Sequence, residues 1–357
     1  MTFPHFASTG RLRFAAALLL GTTLATVAEA ETLTVRDIEV PGTSLYNLAI
    51  PWVEVTDGNL TESEIRDLFR IDSVDDLRKW ANISAKSLKI PEISMKYSVP
   101  GPGSASVDET ITYRDIELVD IVEGVAASTV IASAEVVGSQ EMAMTFGKMS
   151  SGRFDIGAML GFYGIGGPSV TTSTEMKEVY ADFQFEGGSF RVGSGSAPIV
   201  TCEFGPATAG RFLARPLETS LVELEAVILR LQETQKTDPS AMPDPADVKT
   251  LVGYYTDLFT AFASDPMQFE GFDCSGSDPV NSTPFKVSSG AVKVAHFEPG
   301  IYPDISLDSF AIEGGPDDGF VRLGNFTWKR MDLNGPIAAL ENAPRLDENW
   351  FAANWRK

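Results

Sequence analysis

The chain is short of histidine, cysteine and basic residues, and these shortages exclude several kinds of chemistry. Its 357 residues include two histidines and two cysteines, and 28 lysine and arginine residues face 49 aspartate and glutamate residues. His5 lies in the N-terminal segment that we predict below to be a cleaved signal peptide. A Ser-His-Asp triad in the mature chain would therefore have to use His296. Sites built from several histidines are excluded, and we expect His296, which lies beside an apolar strand, to be structural. We predict no metal and no cofactor.

The common catalytic and nucleotide-binding motifs are missing as well. The sequence contains no G-x-S-x-G nucleophile elbow and no G-x-x-x-x-G-K-[ST] phosphate loop. A net charge of −21 repels phosphate backbones, so we expect no nucleic acid partner. Pairs of acidic residues are so frequent that they specify nothing, and a carboxylate-based hydrolase acting on envelope polysaccharide is the third-ranked hypothesis. We expect a protein that is not an enzyme.

The most apolar stretch of the sequence lies at its N-terminus. Arg11 and Arg13 precede a short apolar run that extends to Val27, and the small-x-small sequence ending at Ala30 fits a cleavage site. These features predict a signal peptide over residues 1–30, cleaved after Ala30. The alternative, a membrane anchor, needs about 20 apolar residues, and a glycine and three threonines interrupt this run. We expect a periplasmic or secreted protein with no transmembrane segment in the mature chain.

Most of the sequence after residue 30 is typical of antiparallel sheet. Short runs with apolar residues two positions apart recur between turn signals over residues 31–200 and continue over residues 276–357. A capping box that begins at Thr61 predicts short helices near residues 61–82. The pattern also predicts a strand over residues 153–160, and we interpret the glycines that follow as bends in a curved sheet.

The clearest helical pattern lies between the two cysteines, in an insertion over residues 201–275. Apolar residues spaced by three and four predict helices over about residues 217–236 and 245–263. The predicted fold class is therefore α+β and mostly β, with curved antiparallel sheet and an inserted amphipathic helical hairpin. The candidate docking face of this hairpin comprises Leu221, Leu224, Ile228, Leu231, Leu251, Tyr255, Leu258 and Phe262.

Cys202 and Cys274 flank the predicted hairpin. An even number of cysteines in an oxidising compartment favours a disulfide. The alternative, a metal or redox pair, is disfavoured because the sequence contains no C-x-x-C. A disulfide would close a loop of about 73 residues, which adds on the order of 4 kcal/mol in the chain-entropy model. We predict that the bond clasps the base of the insertion onto the sheet.

One octapeptide phrase recurs in the chain, as LTVRDIEV at 33–40, ITYRDIEL at 111–118 and FTWKRMDL at 326–333. The unequal spacing excludes a solenoid of regular repeats. In the first two copies the apolar positions change parity at the Arg-Asp pair, which includes Asp37 and Asp115. A change of parity within a strand pattern predicts a bulge or a strand break. A diverged duplication is the alternative explanation of the recurrence.

Two resemblances bear on function. The combination of RDIEL with GVAAS, which begins at Gly124, resembles uncharacterised exported proteins of Gram-negative bacteria and implies no activity. The predicted arrangement, a helical hairpin on the concave side of a curved sheet, resembles the β-grooves of bacterial lipid-transfer proteins without sharing a motif with them. It implies a non-catalytic envelope protein that binds an apolar ligand or an envelope protein in the groove. The competing hypothesis is a structural or interaction module with no small ligand, whose side chains fill the groove.

Overall fold

The computed structural model describes residues 30–40, 46–70, 73–100, 106–138, 142–165, 174–194, 197–237, 244–277, 283–314 and 319–341. Residues 1–29 of the predicted signal peptide lie outside this part of the chain. So do the last residues of the sequence, from 342 onwards.

The described helices are short except for one pair. They are α1 (Glu62–Leu68), a 3-10 helix (Val74–Asn82), α2 (Ile156–Phe162), α3 (Leu221–Thr237), α4 (Pro245–Thr260) and α5 (Asn334–Glu341). The capping box at α1 is confirmed, because Thr61 Oγ1 accepts a bond from the backbone N–H of Glu64 and the Glu64 carboxylate accepts one from the N–H of Thr61. The pair α3 and α4 confirms the inserted helical hairpin.

The rest of the described chain is mostly strand, which confirms the predicted fold class. The strands are β1 (Thr32–Val40), β2 (Tyr46–Thr56), β3 (Ala85–Pro100), β4 (Ser106–Val122), β5 (Val125–Val137), β6 (Ala143–Phe146), β7 (Met149–Ser151), β8 (Arg153–Asp155), β9 (Lys177–Ala181), β10 (Phe183–Phe185), β11 (Gly188–Ser194), β12 (Ala197–Phe204), β13 (Ala207–Ala209), β14 (Phe212–Ala214), β15 (Phe262–Ser264), β16 (Met267–Phe269), β17 (Phe272–Ser277), β18 (Pro284–Ser289), β19 (Val292–Val294), β20 (Ile301–Tyr302), β21 (Ile305–Leu307), β22 (Phe310–Gly314), β23 (Phe320–Leu323), β24 (Phe326–Trp328) and β25 (Met331–Asp332).

The strands form an antiparallel meander in which successive passes of the chain pair with each other, all in one sheet except β20 and β25, which pair separately. The strands β1 to β5 pair in chain order. From β6 onward each pass is broken into short strands. For example, the pass over 197–214 pairs on one side with the pass over 177–194 and on the other with the pass over 262–277.

The breaks in successive passes align across the sheet and form what we call the first bend line. Register places Asp37 opposite Pro51 and Asp115 opposite Pro91, and both aspartates have positive φ, at 53° and 50°. Later passes use glycine at the same line, and Gly271 has a φ of 97°. The residues of the first bend line are Asp37, Pro51, Pro91, Asp115, Gly147, Gly187, Gly205, Gly271 and Gly290.

A second bend line runs parallel to the first, about one short strand away. It includes Asp120 and Asp182, which also have positive φ, and it continues through Gly152, Gly210 and Asp265. The two lines divide the sheet into three bands, and the middle band holds β7, β10, β13, β16, β19, β21 and β24.

Burial shows which way the sheet bends. Val35 and Ile38 are both buried, although three positions separate them, and the two residues between them are exposed. Leu118 and Ile121 are likewise both buried at the second bend line, where Val119 is half-buried and Asp120 is exposed. Because two buried residues lie three positions apart at each of these bends, the strand turns around its buried face. The parity change at Arg-Asp is a bend and not the predicted bulge or strand break, because the register does not shift and β1 and β4 each continue through it as one strand.

Two local predictions differ from the structure. Residues 156–162 are the helix α2 and not the end of a strand, because Asp155 Oδ1 accepts a bond from the backbone N–H of Ala158 and caps a helix. The first helix of the hairpin begins at Leu221 and not at Leu217, which is fully buried ahead of it. The second helix ends at Thr260, so Phe262 belongs to β15.

Candidate functional site

A buried ion pair fixes the helical pair α3–α4 to the sheet. Arg215 follows β14, and its guanidinium contacts the carboxylate of Asp257 in α4, where both side chains are largely buried. Arg215 also donates to Thr260 Oγ1 at 2.9 Å, and Asp257 Oδ2 accepts from the backbone N–H of Glu218 at 2.7 Å. Because each charge has a partner and further hydrogen bonds, the cost of burying the pair is offset. The helices therefore have a defined position on the sheet.

Aromatic side chains occupy the space between the sheet and α2. Phe212 lies 5.2 Å from Tyr180, 5.5 Å from Phe162 and 5.6 Å from Phe262, measured between ring centroids. Phe262 in turn stacks on Phe297 at 4.2 Å. Burial raises the pKa of the Tyr180 hydroxyl. We call Phe162, Tyr180, Phe212, Phe262 and Phe297 the aromatic cluster.

The helices complete this apolar interior next to the aromatic cluster. Leu217, Leu224, Tyr254 and Ala261 are buried together, and Phe162 packs against them. The concave side of the sheet at α3 and α4 is therefore filled by the protein's own side chains. This is the arrangement expected of a structural or interaction module.

The structure does not place the candidate docking residues on one face. Leu224 is buried and Phe262 lies in the aromatic cluster. Four of the leucines are partly buried against neighbouring side chains, namely Leu221, Leu231, Leu251 and Leu258. Ile228 and Tyr255 are exposed. The predicted face is thus divided between the interior and the surface.

The sequence pattern did not predict the side chains that set which face of α4 is buried. The buried face of α4 carries Tyr254, Thr256 and Asp257, whereas Tyr255 points to the surface. An apolar stripe could not reveal this orientation, because the partner of Asp257 is Arg215, forty-two positions earlier in the chain. The available signal was Asp257, an acidic residue between apolar positions of the second helix.

The helical pair exposes four apolar side chains on its outer surface. They are Ile228 and Leu229 of α3, and Tyr255 and Phe259 of α4. The helices are also joined across their exposed side by the pair Arg230–Asp247, which lowers the pKa of the Asp247 carboxyl through the hydrogen bond from Arg230. We call the four apolar residues the outer face.

The last described pass of the sheet exposes a second apolar surface. Within the described residues, its strands β23, β24 and β25 pair on one side only. Val321 and Trp328 are 51% and 50% exposed. We call this pass the terminal edge, and its exposed apolar residues are Phe320, Val321, Leu323, Phe326, Trp328 and Met331.

A cavity with a mixed polar and apolar lining lies beside β1. It has a volume of about 610 Å³ and is lined by residues of β1 and α1 that include Glu39 and Glu64. The hydrogen bonds from Thr61 lower the pKa of Glu64, and Asp67, also in the lining, pairs with Lys79. A glycoside hydrolase needs a carboxylic acid whose pKa is raised. Glu64 has the opposite shift and therefore does not fit the role of that acid.

The remaining predicted residues lie apart from these surfaces. His296 is exposed. The pKa of Asp265 is lowered chiefly by hydrogen bonds from Arg211, with a small effect of His296. Among the described residues no group of three or more histidine, cysteine, aspartate or glutamate side chains could hold a metal ion.

Cys202 and Cys274 lie directly opposite each other on β12 and β17, with their sulfurs at disulfide distance. The chain between them is more than a helical hairpin. The strands β13 and β14, which precede the helices, pair with β16 and β15, which follow them. The pair therefore joins two passes of the sheet in the band farthest from α3 and α4. It does not lie at the base of the helices, as the sequence pattern suggested.

No helix within the described ranges combines the length and the apolar character needed to cross a bilayer. Comparison with known proteins adds no relative to these observations. No family model, no curated protein and no solved structure matches the chain.

Proposed function

We propose that this protein is an exported, non-catalytic interaction module that binds a protein of the cell envelope and carries no small ligand. The observation that supports it most is the aromatic cluster, which occupies the position where an apolar ligand would bind. Five rings whose neighbouring centroids lie 4.2 to 5.6 Å apart leave no room for an acyl chain without being displaced.

The outer face of the helical pair is the surface we assign to the envelope protein. Its four apolar residues lie on helices that the Arg215–Asp257 pair holds in place, so binding would not require the helices to be ordered first. Aromatic side chains such as Tyr255 and Phe259 are enriched where proteins bind one another. The predicted envelope protein would therefore bind to a surface whose position on the sheet is fixed.

Export is supported by two independent features. The N-terminal residues have the charge, apolar run and cleavage site of a signal peptide. The cysteine pair at disulfide distance fits an oxidising compartment. Expression of the full chain in a Gram-negative host should yield a periplasmic form whose mass corresponds to a chain that begins at Glu31. A product that keeps residues 1–30, or that stays in the cytoplasm, would contradict the proposed export.

Native mass spectrometry of the periplasmic protein tests the absence of a small ligand. We expect the mass of the polypeptide alone, and no shift of the melting temperature when a phospholipid or a fatty acid is added. The variant Phe212→Ala is the matched positive control, because removing a ring from the aromatic cluster opens a cavity that an apolar probe can enter. A co-purified lipid on the unaltered protein would instead support the apolar-ligand hypothesis.

A further inference from the structure

The two ends of the sheet differ in how their edges are protected. At the first end, Arg66 of α1 donates to the carbonyl oxygens of Arg36 and Asp37 at the bend of β1, and Val35 and Ile38 are buried. The terminal edge has apolar side chains that are about half exposed. An uncovered apolar edge strand is a template for pairing with another strand. The sheet can therefore be extended at the terminal edge.

The shape of the terminal edge restricts which strand can pair with it. The pass bends twice, between β23 and β24 and again between β24 and β25, with the three residues of β24 between the bends. The residues buried at the first bend of β1 and at the second bend of β4 belong to one core, so the two bend lines turn toward the same face of the sheet. A flat strand could pair with only one of the three segments. A matching strand must have two bends at the same spacing and in the same sense.

A second copy of the same edge meets this requirement. A two-fold axis through Thr327, the central residue of β24, runs the second copy antiparallel to the first. Under this operation the gap at residues 324–325 falls opposite the gap at residues 329–330 of the second copy, so both bend lines continue across the junction. An interface of this kind is closed and self-complementary.

The side chains that this register brings together are complementary. Leu323 falls opposite Met331 of the second copy, and Phe326 falls opposite Trp328 of the second copy. Arg322, which pairs with Glu313 of its own copy, falls opposite Asp332 of the second copy, so opposite charges meet outside the apolar pairs. Directly opposed residues of antiparallel strands interact strongly, and apolar pairs and opposite charges are the favourable combinations.

We propose that the protein forms a two-fold symmetric dimer through the terminal edge, with β24 of one copy antiparallel to β24 of the other and Thr327 at the axis. The two sheets then form one continuous sheet with continuous bend lines. The dimer depends on the edge strand and not on what the helical pair binds.

A single cysteine at the axis tests both the dimer and its register. Opposed Cα atoms in antiparallel strands are about 4.5 to 5.5 Å apart, which suits a disulfide. The variant Thr327→Cys, made in residues 31–357, which form one compact unit, should give a covalent dimer on oxidation. Thr208→Cys is the matched control, because Thr208 is an exposed threonine of β13 in the same band. Equal cross-linking of both variants, or of neither, would overturn the proposal.

Mixing two variants tests the register away from the axis. Leu323→Cys and Met331→Cys should each give little covalent homodimer, and an equal mixture of the two should give a covalent heterodimer. Trp328→Lys places a charge among the apolar pairs and should raise the dissociation constant measured by sedimentation at least about tenfold, with unchanged circular dichroism. A monomer at every concentration, or filaments of unlimited length, would refute the two-fold dimer.

Discussion

Aspartate at the bend lines performs a task that most side chains cannot. Asp37 and Asp115 have φ near 50°, a conformation that costs an L-residue roughly 1–2 kcal/mol. Aspartate and asparagine tolerate it better than β-branched residues, because their short polar side chains can hydrogen-bond nearby backbone. Proline lies opposite each aspartate, at Pro51 and Pro91, so both strands depart from regular pairing at the same place.

Replacing Asp115 should therefore show the strain directly. We expect Asp115→Val to lower the free energy of unfolding by about 1–2 kcal/mol, and Asp115→Asn to leave it nearly unchanged. Glu117→Val, two positions along the same strand, is the control, because its φ is not positive. Urea unfolding measures all three. A loss for Glu117→Val as large as that for Asp115→Val would mean that charge or exposure matters here and φ does not.

Asp76 should make the stability of the folded protein depend on pH. The hydrogen bond from Lys79, together with that from the Ser73 backbone N–H, lowers the pKa of Asp76 to about 2. Because this pKa is below the unfolded value of about 3.9, the stabilisation is present above that pH and is lost as the pH falls toward about 2. The melting temperature of the unaltered protein should exceed that of Asp76→Asn above about pH 4, and the difference should shrink toward about pH 2. A difference that is constant over this range would contradict the assignment.

At the scale of elements, the position of the helical pair on the sheet depends more on the buried Arg215–Asp257 pair than on the apolar stripe of the helices. Removing one partner of a buried ion pair leaves the other charge without compensation, which costs roughly 3–5 kcal/mol. We expect Asp257→Ala to lose a stability of this order and to make α3 and α4 more sensitive to a protease. Asp247→Ala, which removes the pair with Arg230, whose side chain is largely exposed, should have a much smaller effect in the same urea titration and proteolysis. Equal losses would show that Asp257 does not anchor the helices.

The helices also show what sequence periodicity can and cannot determine. The pattern of three and four located α3 and α4 and the cap of α1, because these are local interactions. It assigned Tyr255 to the docking face and overlooked Tyr254, since the rotation of α4 is set by Arg215 on a distant part of the chain. The helix α2 was missed because its glycines suggested bends, although Asp155 at its N-terminus was a visible cap.

At the scale of the whole molecule, the first two copies of the octapeptide each contribute one aspartate to the first bend line of the sheet. The parity change at Asp37 and Asp115 predicted a bulge or a strand break, and the structure has a bend without a shift of register instead. No single strand could reveal that the bends align, because the later passes use Gly147, Gly205 and Gly271 in place of aspartate. A Cβ on Gly271 would lie 2.2 Å from the carbonyl oxygen of Ser289, so the neighbouring pass leaves no room for a side chain there. The alignment is a property of the register between passes.

The cysteine pair acts on the whole molecule because of the length of chain that it closes. Cys202 and Cys274 are 72 positions apart, and both lie in strands that are already paired in the folded sheet. A bond between them therefore adds little contact to the folded state and mainly restricts the unfolded chain, by about 4 kcal/mol in the chain-entropy model. We expect the double variant Cys202→Ser with Cys274→Ser to keep its circular dichroism spectrum and to unfold at lower urea. Non-reduced peptide mapping must first show the bond in the unaltered protein. Free thiols at both positions, or a variant as stable as the unaltered protein, would mean that the sheet register alone holds these two passes together.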